Sequence, residues 1–206
     1  MTSPVDICNL ALTSLGQPTV TAIDPPDTNS KSARLCAQLY PLMRDEMIRK
    51  HPWRRLKRRA QLAASVVAPL WGYTTKYPLP ADCITLIEIY VGDDPLREWD
   101  VEGDFILCNE TAALNIRYIA TSTDPNEWDP LLINAIAYRL AVDLAEPLTG
   151  DPNKKSFAIA KYNEVIAEAK NASAQEGTPT ELGQPDSWVS TRFGGTTDGL
   201  LSRGIS

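Results

Sequence analysis

The spacing of apolar residues changes twice along this chain, and these changes limit the folds open to it. Near both ends, apolar residues recur every three or four positions, which is the spacing of a helix with one buried face. In the middle they alternate with polar residues, most clearly in Leu114-Asn115-Ile116-Arg117-Tyr118, as in a half-buried strand. The sequence therefore predicts an α+β protein in which a β region interrupts a helical bundle.

Four main helices are predicted, and capping signals mark where three of them begin. Ser3-Pro4-Val5-Asp6 combines a capping residue, a first-turn proline and the acidic partner of a capping box. Asp129-Pro130 and Asp151-Pro152 repeat the cap followed by proline. The predicted helices span about residues 4–15, 30–50, 130–145 and 153–175. Pro41 lies inside the second helix and is expected to kink it. The short connection 146–150 predicts that the last two helices are antiparallel neighbours.

Five strands are predicted between the helices, arranged as an inserted antiparallel β-meander. They span about residues 55–63, 71–77, 83–91, 104–108 and 113–119. Cys83–Val91 is apolar on both faces, which is typical of a central strand. The predicted organisation is a helical bundle from residues 1–52 and 122–175, an inserted β region at 53–121, and an extended C-terminal tail at 176–206.

The tail differs in composition from the rest of the chain. It is rich in Gly, Ser, Thr and Pro and has no sustained periodicity, so it is not expected to fold alone. It nevertheless contains Trp188, Val189 and Phe193, which are costly to leave in water. A flexible segment with spaced apolar anchors predicts docking onto another molecule.

Charge is unevenly distributed in this acidic chain, whose net charge is −6. Residues 1–60 carry ten Lys or Arg against five Asp or Glu, a net +5. Residues 81–129 carry two Arg against twelve Asp or Glu, a net −10. A globally acidic protein is a poor candidate for a general DNA binder. One basic and one acidic region can instead pair copies of the same chain.

The densest charge feature is a basic cluster near the start of the β region, made of Arg54, Arg55, Lys57, Arg58 and Arg59. Such a cluster can contact a neighbouring subunit, an acidic partner or DNA. It can also be a solvated strand face, because successive residues of a strand point in opposite directions. The sequence leaves these interpretations open.

No catalytic or metal site is predicted. The four cysteines, Cys8, Cys36, Cys83 and Cys108, lack metal-ligand spacing, and His51 is the single histidine; we expect buried free thiols. The acidic residues Asp93, Asp94, Glu98, Asp100, Glu102 and Asp104 lack the order of a calcium loop. We therefore expect no cofactor and no enzymatic activity. With no long apolar run and no signal-peptide layout, the expected site of synthesis is the cytosol.

Several short segments, taken in order, carry more information than composition. They are Ile7-Cys8-Asn9-Leu10-Ala11-Leu12 with Leu15-Gly16, Ala33-Arg34-Leu35-Cys36, Tyr40-Pro41, Arg44-Asp45-Glu46, His51-Pro52-Trp53, Lys57-Arg58-Arg59, Tyr77-Pro78-Leu79-Pro80-Ala81-Asp82-Cys83, Arg117-Tyr118-Ile119, Asp124-Pro125, Trp128-Asp129-Pro130 and Asp186-Ser187-Trp188-Val189. In this order they resemble phage head-to-tail adaptors of the tail tubular protein A family. The resemblance covers roughly residues 5–190 and leaves Thr191–Ser206 without a counterpart.

The resemblance implies a structural virion protein of a tailed bacteriophage, assembled in the host cytoplasm and located in the virion neck. Such an adaptor forms a ring, expected to have twelve copies, that connects the portal protein to the tail nozzle protein. Genomic DNA would pass through its lumen without specific binding, and no membrane partner is implied. The resemblance also implies an extended C-terminal segment that grips the portal. Because apolar and aromatic anchors dominate such contacts, we expect docking through Trp188, Val189, Arg192 and Phe193.

Three other functions stay open on the sequence. One is a head-completion or stopper connector of a long-tailed phage. Another is a DNA-binding module that uses the 54–59 basic cluster. The third is a tail-borne peptidoglycan hydrolase, although nothing in the sequence selects a pair of catalytic carboxylates among the many acidic residues.

Overall fold

A computed structural model describes residues 2–176 of the chain; Met1 and residues 177–206 lie outside the described part. The helices are α1 (Pro4–Ser14), α2 (Lys31–Arg49), α3 (Pro130–Thr149) and α4 (Pro152–Gln175). The strands are β1 (Lys57–Leu62), β2 (Thr75–Pro78), β3 (Cys83–Val91), β4 (Asp94–Pro95), β5 (Trp99–Glu102), β6 (Phe105–Cys108) and β7 (Leu114–Ala120). The α+β fold, with four helices and antiparallel sheets, is the predicted one.

The predicted capping signals start their helices where expected. The backbone N–H of Asp6 donates to the Ser3 hydroxyl at 3.2 Å, and the Ser3 N–H donates to the Asp6 carboxylate at 2.8 Å. Asp129 and Asp151 each accept a hydrogen bond from the second residue of α3 and α4, at 2.8 Å in both. Each cap satisfies a backbone donor that the helix itself leaves unpaired.

Helix α3 is longer than predicted, because Pro147 does not end it. The prediction placed the end near residue 145, but the helix continues to Thr149. Pro147 lies in the last turn, where its missing N–H removes only one bond of an already established helix. The helix ends instead at Gly150, whose left-handed backbone (φ 62°) lets its N–H donate to the Glu146 carbonyl at 3.0 Å.

The helical core is arranged around α3, which contacts the other three helices. Ala135, Ile136, Leu140 and Leu144 are fully buried along it. The predicted neighbours α3 and α4 pack against each other. Trp53, which follows α2, is also buried, and its indole N–H donates to the Met47 carbonyl at 2.8 Å. The helices therefore bury one continuous apolar cluster.

The strands form two antiparallel sheets rather than one meander. The larger sheet has the order β1-β7-β3-β4, and the smaller has the order β2-β6-β5. A meander would pair strands in chain order, whereas β7, the last strand, lies between β1 and β3. The pairing of Lys57 with Ile119 places the two ends of the β region side by side. An insertion into a helical bundle needs this adjacency, since the chain must return to where it left.

The two sheets share a second apolar core, which includes Tyr77, Ile106, Leu114, Ile116 and Tyr118. The predicted alternation in β7 is confirmed. Leu114, Ile116 and Tyr118 are buried, whereas Asn115 and Arg117 between them are only half-buried. Strand β3 is apolar on both faces, as predicted, and serves both cores. Ile84 and Ile87 pack against the helical core, while Leu86, Ile89 and Val91 pack between the sheets.

Strand boundaries differ from the prediction in three places. Residues 55 and 56, predicted as strand, belong to a 3-10 turn over Arg54–Leu56, and β1 begins only at Lys57. Residues 71–74 stay outside β2, which begins at Thr75. The short strands β4 and β5 were not predicted. β4 has only two residues, whereas the alternation of Trp99 and Val101 with Asp100 and Glu102 is a strand signal that the sequence analysis missed.

Tyr77 is the best test of the core between the sheets. Its side chain is fully buried, and its hydroxyl, which has one hydrogen to donate, lies 2.9 Å from the Glu110 carbonyl oxygen and 2.7 Å from the Ala112 carbonyl oxygen. We expect Tyr77→Phe to lower the free energy of unfolding by about 1–2 kcal/mol, because the partly buried carbonyl oxygens lose their donor. Urea unfolding measures the change. Tyr73→Phe, at a half-buried loop position, is the matched control and is expected to change the free energy of unfolding by less than about 0.5 kcal/mol.

Candidate interaction surfaces

Arg54, the first residue of the basic cluster, holds the end of α4. Its guanidinium donates to the carbonyl oxygens of Ser173 at 2.8 Å and Ala174 at 3.3 Å. Its backbone N–H also donates to the Ser173 hydroxyl at 3.4 Å. A cation is favoured at a helix C-terminus, where carbonyl groups lack helical partners. Arg54 therefore stabilises the fold and is not free for a partner.

Arg55 and Arg58 face carboxylates within the same chain. The closest N–O distance is 4.0 Å between Arg55 and Asp129 and 3.4 Å between Arg58 and Glu127. The side chains of Arg55, Arg58 and Glu127 are exposed and that of Asp129 is half-buried, so each pair contributes little to stability. Both pairs join the basic region 1–60 to the acidic region 81–129. Part of the charge that a neighbouring copy could use is therefore already paired within one copy.

Lys57 and Arg59 lie on the opposite face of β1 from Arg58 and line up with the polar positions of β7 and β3. Arg59 is paired with Arg117, and Arg117 with Glu88, whose carboxylate lies 2.9 Å from the Arg117 guanidinium. Burial, followed by the nearby charges of Arg54 and Arg117, lowers the pKa of Lys57. This face thus concentrates positive charge, only part of which Glu88 offsets.

The outer part of this face forms a shallow groove of about 480 Å³. We call it the polar shelf and define it by Arg59, Gln61, Tyr90, Asn115 and Arg117, which line it. The Gln61 amide donates to the Asn115 side-chain oxygen at 3.1 Å. The shelf offers guanidinium and amide donors, which suit a carboxylate on a partner.

The acidic residues of the β region remain exposed. Asp93, Asp94, Glu98, Asp100, Glu102 and Asp104 lie in β4, β5 and the adjoining turns. Within residues 2–176, none of them forms a salt bridge, and no three potential ligands are grouped to hold a metal ion. They form an acidic surface that is open to a basic partner.

A loop between β1 and β2 exposes large apolar side chains, which the sequence analysis missed. We call residues 63–74 the apolar loop; it carries Val66, Val67, Leu70 and Trp71, and Trp71 is 84% exposed. The Ser65 N–H donates to the Lys76 carbonyl at 2.8 Å and closes the base of the loop. One signal was available in the sequence, because no charged residue occurs between positions 60 and 75.

A larger groove of about 760 Å³ lies beside the smaller sheet. We call it the β5 groove; its lining includes Leu79, Cys83, Leu86, Trp99 and Val101. Arg49 and Asp104 also line it, whereas Asp100 and Glu102 alternate with its β5 residues and face the other side of that strand. The β5 groove is therefore a partly apolar concavity whose lining also carries one cation and one carboxylate.

The cysteines and the histidine have local structural surroundings. All four cysteines are free thiols; Cys8, Cys36 and Cys108 are buried, as expected, whereas Cys83 is only half-buried, because it borders the β5 groove. A hydrogen bond between Cys8 and Cys36, together with burial, raises the pKa of Cys8. His51 packs edge-on against Trp53, with ring centres 4.8 Å apart.

The predicted docking residues of the tail, Trp188, Val189, Arg192 and Phe193, lie outside the described residues. Within the described residues, the candidate interaction surfaces are the basic cluster, the acidic surface, the apolar loop and the two grooves. Among the described helices, none combines the length and apolar character needed to cross a membrane.

No protein-family model matches this sequence, and no curated protein matches it either. The function of the chain must therefore be argued from its own residues and surfaces.

Stability measurements can test whether Arg54 has a structural role that the other residues of the basic cluster do not share. We expect Arg54→Ala to lower the free energy of unfolding by about 1–2 kcal/mol, because the carbonyls at the end of α4 lose a charged donor. Arg59→Ala, at an exposed position of the same cluster, should change it by less than about 0.5 kcal/mol. Urea unfolding of both variants makes the comparison, and equal effects would contradict the separate role of Arg54.

Proposed function

We propose that this chain is a ring-forming structural adaptor of a tailed bacteriophage, placed between the portal and the tail nozzle. It would act without catalysis, with DNA passing through the lumen of its ring. The ordered segments that resemble the tail tubular protein A family support this assignment. A stopper connector of a long-tailed phage would also form a ring, and the portal-binding measurements below separate the two.

One observation carries the proposal: a single folded unit exposes positive and negative surfaces that its own ion pairs leave partly uncompensated. Arg59 on the polar shelf is exposed, and the acidic residues around β5 form no ion pair within residues 2–176. In a ring, one face of each subunit meets a different face of the next. Opposite charges on those two faces would steer the copies and set their register.

The structure weakens the case for a DNA-binding module. Arg54 is bound to the end of α4, and Arg55 and Arg58 face Asp129 and Glu127. The basic cluster is thus divided over several directions and does not present one continuous surface to a phosphate backbone. Contact with an acidic surface of a neighbouring copy needs fewer unpaired cationic side chains than binding along a DNA backbone does.

Charge reversal tests the complementary surfaces. We expect Arg59→Glu to reduce the number of adaptor copies bound per portal ring roughly tenfold at limiting protein, because like charges would meet across the subunit contact. Asp100→Arg combined with Glu102→Arg should have a similar effect. Combining all three changes in one chain restores opposite charges and should recover binding, as counted by electron microscopy of portal mixtures.

The control for this experiment is Glu168→Lys, which changes the charge on an exposed position of α4. It should leave binding unchanged. Failure of the three-site variant to recover binding, in a protein with normal circular dichroism, would contradict a contact between these two surfaces.

The assembly state provides a second test. Exposed charge pairs give limited affinity, so we expect the isolated protein to be a monomer or weak oligomer that forms rings on the portal. Light scattering should report monomer mass at low micromolar concentration. Stable dodecamers of the isolated protein under these conditions would contradict templated assembly.

The C-terminal tail provides a third test. Residues up to Glu176 form one compact unit with its own cores. We therefore expect deletion of residues 180–206 to preserve the far-ultraviolet circular dichroism spectrum and to abolish binding to the portal. A truncated protein that loses its helical signal would argue against a docking tail.

A further inference from the structure

We propose that the free edge of β1 in one copy pairs with the free edge of β5 in a neighbouring copy, in parallel orientation, so that a sheet continues from copy to copy. This inference deepens the proposed function and rests on it for the expectation that copies meet head to tail. It gives the contact between the basic and acidic surfaces a backbone geometry and a register.

Both strands lie at the edge of a sheet. Within residues 2–176, β1 ends the larger sheet and β5 ends the smaller one, so each has a strand partner on one side only. A free edge presents N–H and C=O groups that can pair with a strand of another molecule. The two other edges suit pairing less well, because β4 has only two residues and both β4 and β2 end in a proline, Pro95 and Pro78.

The hydrogen bonds of the smaller sheet show which groups of β5 point to its free edge. The Leu79 N–H donates to the Asp104 carbonyl at 2.8 Å, so the even-numbered residues of β6 face β2 and the odd-numbered ones bond to the even-numbered residues of β5. The backbone groups of Trp99 and Val101 therefore point outward. In agreement, the Val101 N–H donates to the Asp100 carboxylate at 2.7 Å and not to a neighbouring strand.

The same alternation applies to β1. The Leu96 N–H donates to the Ile89 carbonyl at 2.9 Å, so the backbone of Ile89 faces β4 and not its β7 neighbour Ile116. Ile116 therefore faces β1, where it lies opposite Ala60. This leaves the odd-numbered residues of β1, including Arg59, with their N–H and C=O groups at the free edge.

These two alternations favour parallel over antiparallel pairing. An antiparallel pair sets outward-pointing residues opposite each other, which would place Arg59 opposite Val101 or Trp99 and the carboxylates of β5 on the other face. A parallel pair is staggered by one residue, so that Arg59 lies opposite Asp100 or Glu102. The parallel arrangement therefore brings cation and carboxylate to the same face of the joined sheet.

One register uses the whole of β5. It places five pairs opposite each other: Lys57 with Glu98, Arg58 with Trp99, Arg59 with Asp100, Ala60 with Val101, and Gln61 with Glu102. Ion pairs and apolar pairs that lie directly opposite stabilise a sheet. In this register the Val101 N–H exchanges the Asp100 carboxylate for the Arg59 carbonyl, and the released carboxylate meets the Arg59 guanidinium.

Charge also acts against the alternative pairings. β1 carries Lys57, Arg58 and Arg59 and no carboxylate, whereas β5 carries Asp100 and Glu102 and no cation. Two β1 edges would bring cations together, and two β5 edges would bring carboxylates together. Of these pairings, only that of unlike edges avoids like charges. Repeated from copy to copy, it is the heterologous contact that generates a ring.

Paired cysteines test the register. We introduce Gln61→Cys and Glu102→Cys, both at exposed positions, into the full chain, assemble it on the portal and oxidise it mildly with copper phenanthroline. The two thiols lie opposite each other across the proposed contact, so non-reducing gels should show a ladder of dimers, trimers and larger species.

Two controls accompany this variant. Gln61→Cys with Val101→Cys should give no ladder, because a shift of one residue moves the second thiol to the other face of β5. Gln61→Cys alone should give none either, since the half-buried native Cys83 is not the expected partner. A ladder in either control would overturn the register.

A proline substitution tests the backbone pairing without changing charge. The Gln61 N–H points to the free edge, so Gln61→Pro removes no bond to β7 and should leave circular dichroism unchanged. Gln61→Ala removes the same side chain but keeps the N–H. We expect roughly tenfold fewer copies bound per portal ring for Gln61→Pro than for Gln61→Ala at limiting protein, because proline cannot donate to the neighbouring strand. Equal numbers would overturn the edge pairing.

The outcomes separate this inference from the proposed function. Rings that form on the portal without a ladder in Gln61→Cys/Glu102→Cys would overturn the edge pairing and leave the adaptor assignment standing. A ladder in concentrated protein that never binds portal would support the edge pairing and overturn the adaptor assignment. Failure of both assembly and crosslinking would overturn both.

Discussion

The pairing of β1 with β7 is the constraint on which the rest of the structure depends. Lys57 lies opposite Ile119, so the chain leaves the helical bundle after α2 and returns to it before α3 at nearly the same place. Ile119 belongs to the helical core, whereas Tyr118, the preceding residue, belongs to the core between the sheets. One strand therefore joins the two cores, and its alternation sends successive side chains to different layers.

The same pairing decides what each cation of the basic cluster can do. The 3-10 turn at Arg54–Leu56 directs Arg54 toward the end of α4, and the strand that follows separates Arg58 from Arg59 by face. Arg58 meets Glu127, whereas Arg59 joins the polar shelf with Arg117. A run of like charges in the sequence thus divides into a contact with a helix end, two exposed ion pairs and the lining of a shallow groove.

The apolar loop illustrates a conflict between a monomer and an assembly. A monomer gains nothing from Trp71 in water, and such a side chain favours unwanted association. Burial of these side chains against another molecule would remove that liability.

Local rules determined much of this protein from sequence alone. The caps at Ser3, Asp129 and Asp151 begin three helices as predicted, because a side-chain oxygen two or three residues before a backbone N–H is a local geometry. The alternation in β7 likewise predicted which side chains are buried. The predicted end of α3 near residue 145 is the informative failure, since the helix passes through Pro147 and ends at the left-handed backbone of Gly150.

The remaining features of the fold depend on residues that are distant in the chain. The strand order β1-β7-β3-β4 rests on non-local pairing, which the alternation within each strand does not encode. The polar shelf joins β1, β3 and β7, and the β5 groove joins residues 79–86 with residues 99–104. The sequence shows whether a side chain is apolar or charged. Its surroundings depend on the residues that lie beside it across a sheet, and strand pairing determines which residues those are.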